Sequence, residues 1–120
     1  MRLTFGYLNV FSADWRRLRL DDDDLRALEL EIMHNPSVGR MIPGAGGLRK
    51  IRFSTPGWNR GKSGAIRVCY VYFLRYESVY MFGAYAKNER ENITAADKAA
   101  YRRLLSAIET ELGGRQGPRK

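Results

Sequence analysis

Four stretches of the chain have the pattern of β-strands. From Leu48 to Ser54 the side chains alternate: Arg49, Ile51 and Phe53 fall on one side, Leu48, Lys50 and Arg52 on the other. Ala65 to Leu74 and Ser78 to Ala86 are rich in β-branched and aromatic residues. The short turn Arg75-Tyr76-Glu77 between them predicts an antiparallel hairpin. Leu3 to Val10 is also β-prone and reads as a first strand.

Helical spacing fills most of the rest. Ser12 with Asp14 is expected to cap a short helix carrying Trp15 and Leu18 on one face. Asp21 to Asp24 open a second helix, whose Leu25, Leu28 and Ile32 make one apolar stripe. Asn35-Pro36 ends it, because a residue before proline is pushed out of the α region. Thr94 is an N-cap with Asp97 in box-like spacing. A last helix follows, with Tyr101, Leu104, Leu105, Ile108 and Leu112 on one face and Gly113 suited to its C-terminal cap. Residues 36–47 and 55–64, rich in glycine, are loops. The order β-α-α-β-β-β-α predicts an α+β fold, a small single domain with a twisted antiparallel sheet of about four strands and helices packed on one face. The domain spans residues 1–113, and 114–120 form a flexible basic tail.

Composition narrows the class. At 120 residues, 44% hydrophobic and 28% charged, the chain suits one domain with one core. A single cysteine, Cys69, excludes a disulfide framework. No run of about 18 apolar residues can span a membrane, and the N-terminus lacks the pattern of a signal peptide. The expectation is a soluble, cytoplasmic protein.

Charge changes the picture more. Residues 1–31 hold five arginines against seven acids, and residues 77–120 hold eight bases against six acids. Residues 32–76 hold eight bases and no carboxylate. The net charge of +8 therefore belongs to the middle of the chain. Forty-five residues without an acid make a surface for polyanions, nucleic acid first among them and the acidic partner of a complex second.

Most motifs have plain structural explanations. Gly57-Trp58-Asn59-Arg60-Gly61-Lys62-Ser63 is one residue short of a P-loop and opens a strand rather than a helix. It reads better as a basic loop, with Arg60 and Lys62 for backbone phosphates and Trp58 either for base stacking or against the core edge. Asp21 to Asp24 suit a helix N-terminus, not a metal. His34 is the only histidine, so a pair of imidazoles for acid–base work is excluded. Cys69 reads as a small buried hydrophobe. No metal or cofactor is called for.

The strongest signal is cationic. Lys50 and Arg52 share a strand face, and Tyr85 and Lys87 share one with Gly83, opposite Phe82, Ala84 and Ala86. If the strands are neighbours, Lys50, Arg52, Arg67, Tyr85 and Lys87 can gather in one concavity. Gathered cations disfavour one another's charge, which suits a lysine to act as a base near neutral pH. Arginines stay charged and can hold a phosphate in its transition state. The bland alternative is a solvated basic face with Tyr85 as packing.

The runs Pro43-Gly44-Ala45-Gly46-Gly47-Leu48-Arg49-Lys50-Ile51-Arg52, Gly61-Lys62-Ser63-Gly64-Ala65-Ile66-Arg67-Val68 and Tyr85-Ala86-Lys87-Asn88-Glu89, then Ile93-Thr94 and the final helix, resemble toxins of the RelE/ParE superfamily, in its HigB-like RelE branch. The resemblance spans about residues 20–110. It implies a ribosome-dependent messenger RNA endonuclease that enters the A site, and an antitoxin partner, often a helix-turn-helix protein. No membrane partner is implied, and DNA only indirectly, through a repressor complex. By the same resemblance Lys50, Arg52, Arg67 and Lys87 become site residues, Asn88 an RNA contact, and Tyr85, ahead of Tyr101, the functional tyrosine. The implied chemistry is metal-independent cleavage by the ribose 2′-OH. Lys50 or Lys87 would take the proton, Arg52 and Arg67 would hold the charge, and Tyr85 or a protonated lysine would help the 5′-oxygen leave. Arg49, Arg60 and Lys62 would grip RNA. A DNA gyrase inhibitor of the same superfamily, or a non-catalytic RNA-binding module, are the alternatives.

Overall fold

The structure is a computed structural model that describes residues 2–54, 65–87, 89 and 92–116. Its elements are β1 (Thr4–Tyr7), α1 (Asn9–Arg17), α2 (Asp22–His34), β2 (Arg40–Met41), β3 (Leu48–Phe53), β4 (Ile66–Phe73), β5 (Ser78–Ala86) and α3 (Ala95–Gln116), with a single 3₁₀ turn over Leu74–Tyr76 joining β4 to β5. One five-stranded sheet runs in the order β1-β5-β4-β3-β2. The α+β class and the β4–β5 hairpin are as expected, but the sheet is mixed. β1 lies parallel to β5 at one edge, and β2, inside the segment read as a loop, adds the other edge.

Helices cover both faces, not one. Ile51, Phe53, Ile66, Val68, Tyr70, Val79 and Met81 point to α1 and α2, where they meet Phe11, Trp15, Leu28 and Ile32. Leu48, Cys69, Val71, Phe73 and Phe82 point the other way and meet Leu105 and Leu112 of α3. Alternation along each strand divides one set of side chains into two cores. Cys69 is the small buried residue that was expected.

A bulge in β5 joins these registers. Tyr70 pairs with Met81 and Cys69 with Gly83, leaving Phe82 as the extra residue. The extra residue lets Phe82 share the α3 face with Gly83, correcting the strict alternation that set it opposite. At Gly83 a Cβ would stand 2.7 Å from the Tyr101 hydroxyl, so only glycine lets α3 come this close.

The helix ends follow local chemistry, with two exceptions. Asp21 accepts from the backbone N–H of Asp24 at 2.9 Å, and Asp24 accepts in return from that of Asp21 at 3.0 Å. Thr94 and Asp97 exchange the same pair of bonds at 3.0 Å each. The acidic run is thus partly a capping box. The first exception is α1. It begins at Asn9, capped by Leu8 without a side-chain bond, and not at Ser12. The Leu8 N–H donates to Met81 O at 3.1 Å, which ties the start of the helix to β5. The second is Gly113, which does not end α3: the helix runs on to Gln116. A Cβ there would lie 3.2 Å from the Tyr76 hydroxyl, so Gly113 answers to a close neighbour rather than a cap. Residues 114–116, placed in the tail, are helical, and 117–120 lie outside the described residues.

Candidate functional site

The α3 face of the sheet changes character toward one corner. Leu48, Val71 and Phe73 are covered by the helix, but the positions beyond them on the same face are Lys50 and Arg52 on β3 and Arg67 on β4. In the register Arg40 lies opposite Lys50, and Arg52 lies opposite Arg67. Like charges set directly across a sheet are destabilising. Two such pairs in one corner are a cost that packing does not explain, and an anion would relieve both.

These side chains border a hollow of about 480 Å³ lined by Arg40, Lys50, Arg52, Arg67, Lys87 and Asn92. Among the described lining residues five are cations, one is an amide, and none is an acid. The structure therefore brings together four predicted residues: Lys50 and Arg52 from β3, Arg67 from β4, and Lys87, which stands in the turn just after β5 and not on the strand. The Lys50 ammonium donates to Asn92 Oδ1 at 3.1 Å, which fixes its direction. Arg67 donates to Ala65 O at 3.0 Å.

Other predicted residues are placed elsewhere. Tyr85 sits opposite Arg67 on the right face, but it is only 3% exposed and belongs to the core under α3. It is not among the described residues that line the hollow, because the core under α3 takes it up. Arg49 points to the opposite face. Its Nη1 donates to Ser37 O at 3.1 Å and Gly39 O at 2.7 Å, so it braces the segment after α2, away from the face that carries Lys50. Trp58, Arg60, Lys62 and Asn88 lie outside the described residues.

Two lining residues were missed. Arg40 stands in a two-residue strand within a glycine- and proline-rich segment, where no period can show. Asn92 is forty-two positions from Lys50, and nothing local connects them.

Lys87 is held by a separate device. β1 pairs β5 only as far as Met81, so the rest of that edge needs other partners. Asp14 of α1 accepts from the Ala84 N–H at 2.9 Å, and Glu89 accepts from the Ala86 N–H at 3.0 Å. Arg17 joins the two acids. It binds Asp14 at 2.6 Å and grips Glu89 through Nε and Nη2 at 3.0 and 2.9 Å. The hydrogen bonds that Arg17 donates to Glu89 and then Asp14 push its pKa further up. Charge-assisted, two-pronged contacts of this kind fix geometry, and Ala86 and Glu89 bracket Lys87 in sequence.

No family model matches this chain. Its fold is that of the E. coli toxin RelE. A mutant RelE in the free state matches with 16% identity and a TM-score of 0.53, over 76% of this chain and 90% of that one. RelE within the intact E. coli RelBE toxin–antitoxin complex matches with 15% identity and a TM-score of 0.51, over 69% and 94%. The isolated RelE toxin gives 13% and 0.50, over 86% and 99%. The chain thus has the RelE fold that its sequence motifs resemble.

Proposed function

We propose that this protein is the toxin of a toxin–antitoxin pair and cuts messenger RNA on the ribosome. The observation that carries the reading is the cationic hollow, with no acid among its described lining residues and with two opposed cation pairs. A scissile phosphate seated there meets Arg52 and Arg67, whose guanidinium groups stabilise the dianionic phosphorane. The adjacent 2′-oxygen bonds to phosphorus as its proton passes to Lys50 or Lys87. The P–O5′ bond breaks, and the other lysine, protonated, supplies the proton to the departing 5′-oxygen. The products are a 2′,3′-cyclic phosphate and a 5′-hydroxyl. The need for a 2′-OH restricts the reaction to RNA. Alignment on the ribosome supplies much of the rate, which suits a site without paired imidazoles. The partner that silences it is an antitoxin from the same pair; a RelE of the same fold is solved with its antitoxin in the RelBE complex.

The test is a translation extract with a defined messenger RNA, mapping cut ends with and without ribosomes. Cuts in codon register are expected, falling by about 10²–10³-fold in Arg52→Ala and strongly in Lys50→Ala. Intact RNA with stalled supercoiling would mean a gyrase inhibitor. Salt-sensitive RNA retention without cuts would mean a binding module.

A further inference from the structure

A second hollow of about 280 Å³ adjoins the first and shares Arg40, Lys50 and Asn92 with it. Its other lining residues are Met41, Ile42, Pro43, Ile93 and Lys98. The chemistry changes across that shared rim. Among the described residues the first hollow offers cations and an amide. The second adds the apolar residues Ile42, Pro43 and Ile93, with Lys98 at its edge.

The walls are preformed. Ile42 N–H donates to Leu48 O at 2.9 Å, which carries the β2 alignment past the strand. Arg102 of α3 donates to Gly44 O at 2.5 Å and ties the same segment to the helix. The Thr94–Asp97 box fixes the start of α3 and with it Ile93, 8% exposed, and Lys98. Lys98 stands in the first turn of α3, where the helix dipole favours an anion over a cation. Its placement there is another local cost beside the site.

A ligand that fills both hollows must join an anion to a flat apolar body with hydrogen-bond acceptors on its edge. A nucleotide has that composition. We infer that the second hollow is a nucleobase subsite, which takes the base of a nucleotide flanking the phosphate held in the first. The base lies against Ile42, Pro43 and Ile93 and turns an acceptor edge to Lys98 and Arg40. This deepens the reading of the protein as an RNA-cleaving toxin and rests on it.

The test uses the full chain and a short single-stranded RNA in which one abasic ribose is moved position by position. Binding is followed by fluorescence anisotropy over a salt series. Removing the base at one position is expected to weaken binding about tenfold, in the range of single-base stacking. In Ile42→Ser that positional penalty disappears while the salt dependence stays. Lys98→Met, at the rim and outside the core, keeps part of the penalty and loses the preference for acceptor-rich bases. Salt-dependent binding with no position-specific penalty, or a penalty unchanged in both variants, overturns the subsite and leaves the phosphate hollow standing. Absence of any salt-dependent RNA binding overturns both.

Discussion

Tyr70 is fully buried, and its hydroxyl serves two backbone groups: it donates to Pro36 O at 2.8 Å and accepts from the Gly39 N–H at 2.9 Å. Those groups belong to the segment that leads into β2, so this contact sets where Arg40 enters the site. Tyr70→Phe leaves both without a partner and should cost about 1–3 kcal/mol, read by denaturant unfolding. Burial also raises the Tyr70 pKa. The unfolded chain then releases the proton first as pH rises, so the native state holds more protons and stability declines with pH. The contribution is intact below about pH 10 and fades above it. The alkaline decline should be shallower in Tyr70→Phe; equal slopes would show that Tyr70 does not contribute.

At the scale of elements, α1 meets β5 where that strand loses its β1 partner. Asp14, Arg17 and Glu89 take over from the backbone and hold the chain at Lys87. Arg17 is far from the hollow in sequence and does not line it, so its effect runs through Lys87. Arg17→Met and Lys87→Met should each slow cleavage, and the double variant should be no slower than Lys87→Met alone. Additive losses would mean that Arg17 acts independently of Lys87.

Across the whole molecule the charge distribution sets stability against binding. Arg52 and Arg67 face each other with no acid among the described residues of the hollow. Arg52→Gln should raise stability by about 0.2–1 kcal/mol, because it relieves a like-charge cross-strand pair. The same change should reduce the salt slope of RNA binding by about 0.7, the share of one phosphate on a single strand. Arg49→Gln, on the other face, should leave that slope unchanged. A lower melting temperature in Arg52→Gln, or equal slopes for both variants, would contradict this account.

Much of the architecture was legible because its signals are local. Period two across Leu48 to Phe53, the short turn after Leu74, and the Asp21–Asp24 and Thr94–Asp97 boxes each act within a few residues. They decided the order of most elements, and alternation already put Lys50 and Arg52 on a common face. What required the folded chain involves closure between distant segments. Parallel docking of β1 on β5, the bulge that turns Phe82, the burial of Tyr85 and the arrival of Arg40 and Asn92 beside Lys50 have no local mark. They depend on which part of each sheet face the helices cover, and that is settled only when both cores pack at once.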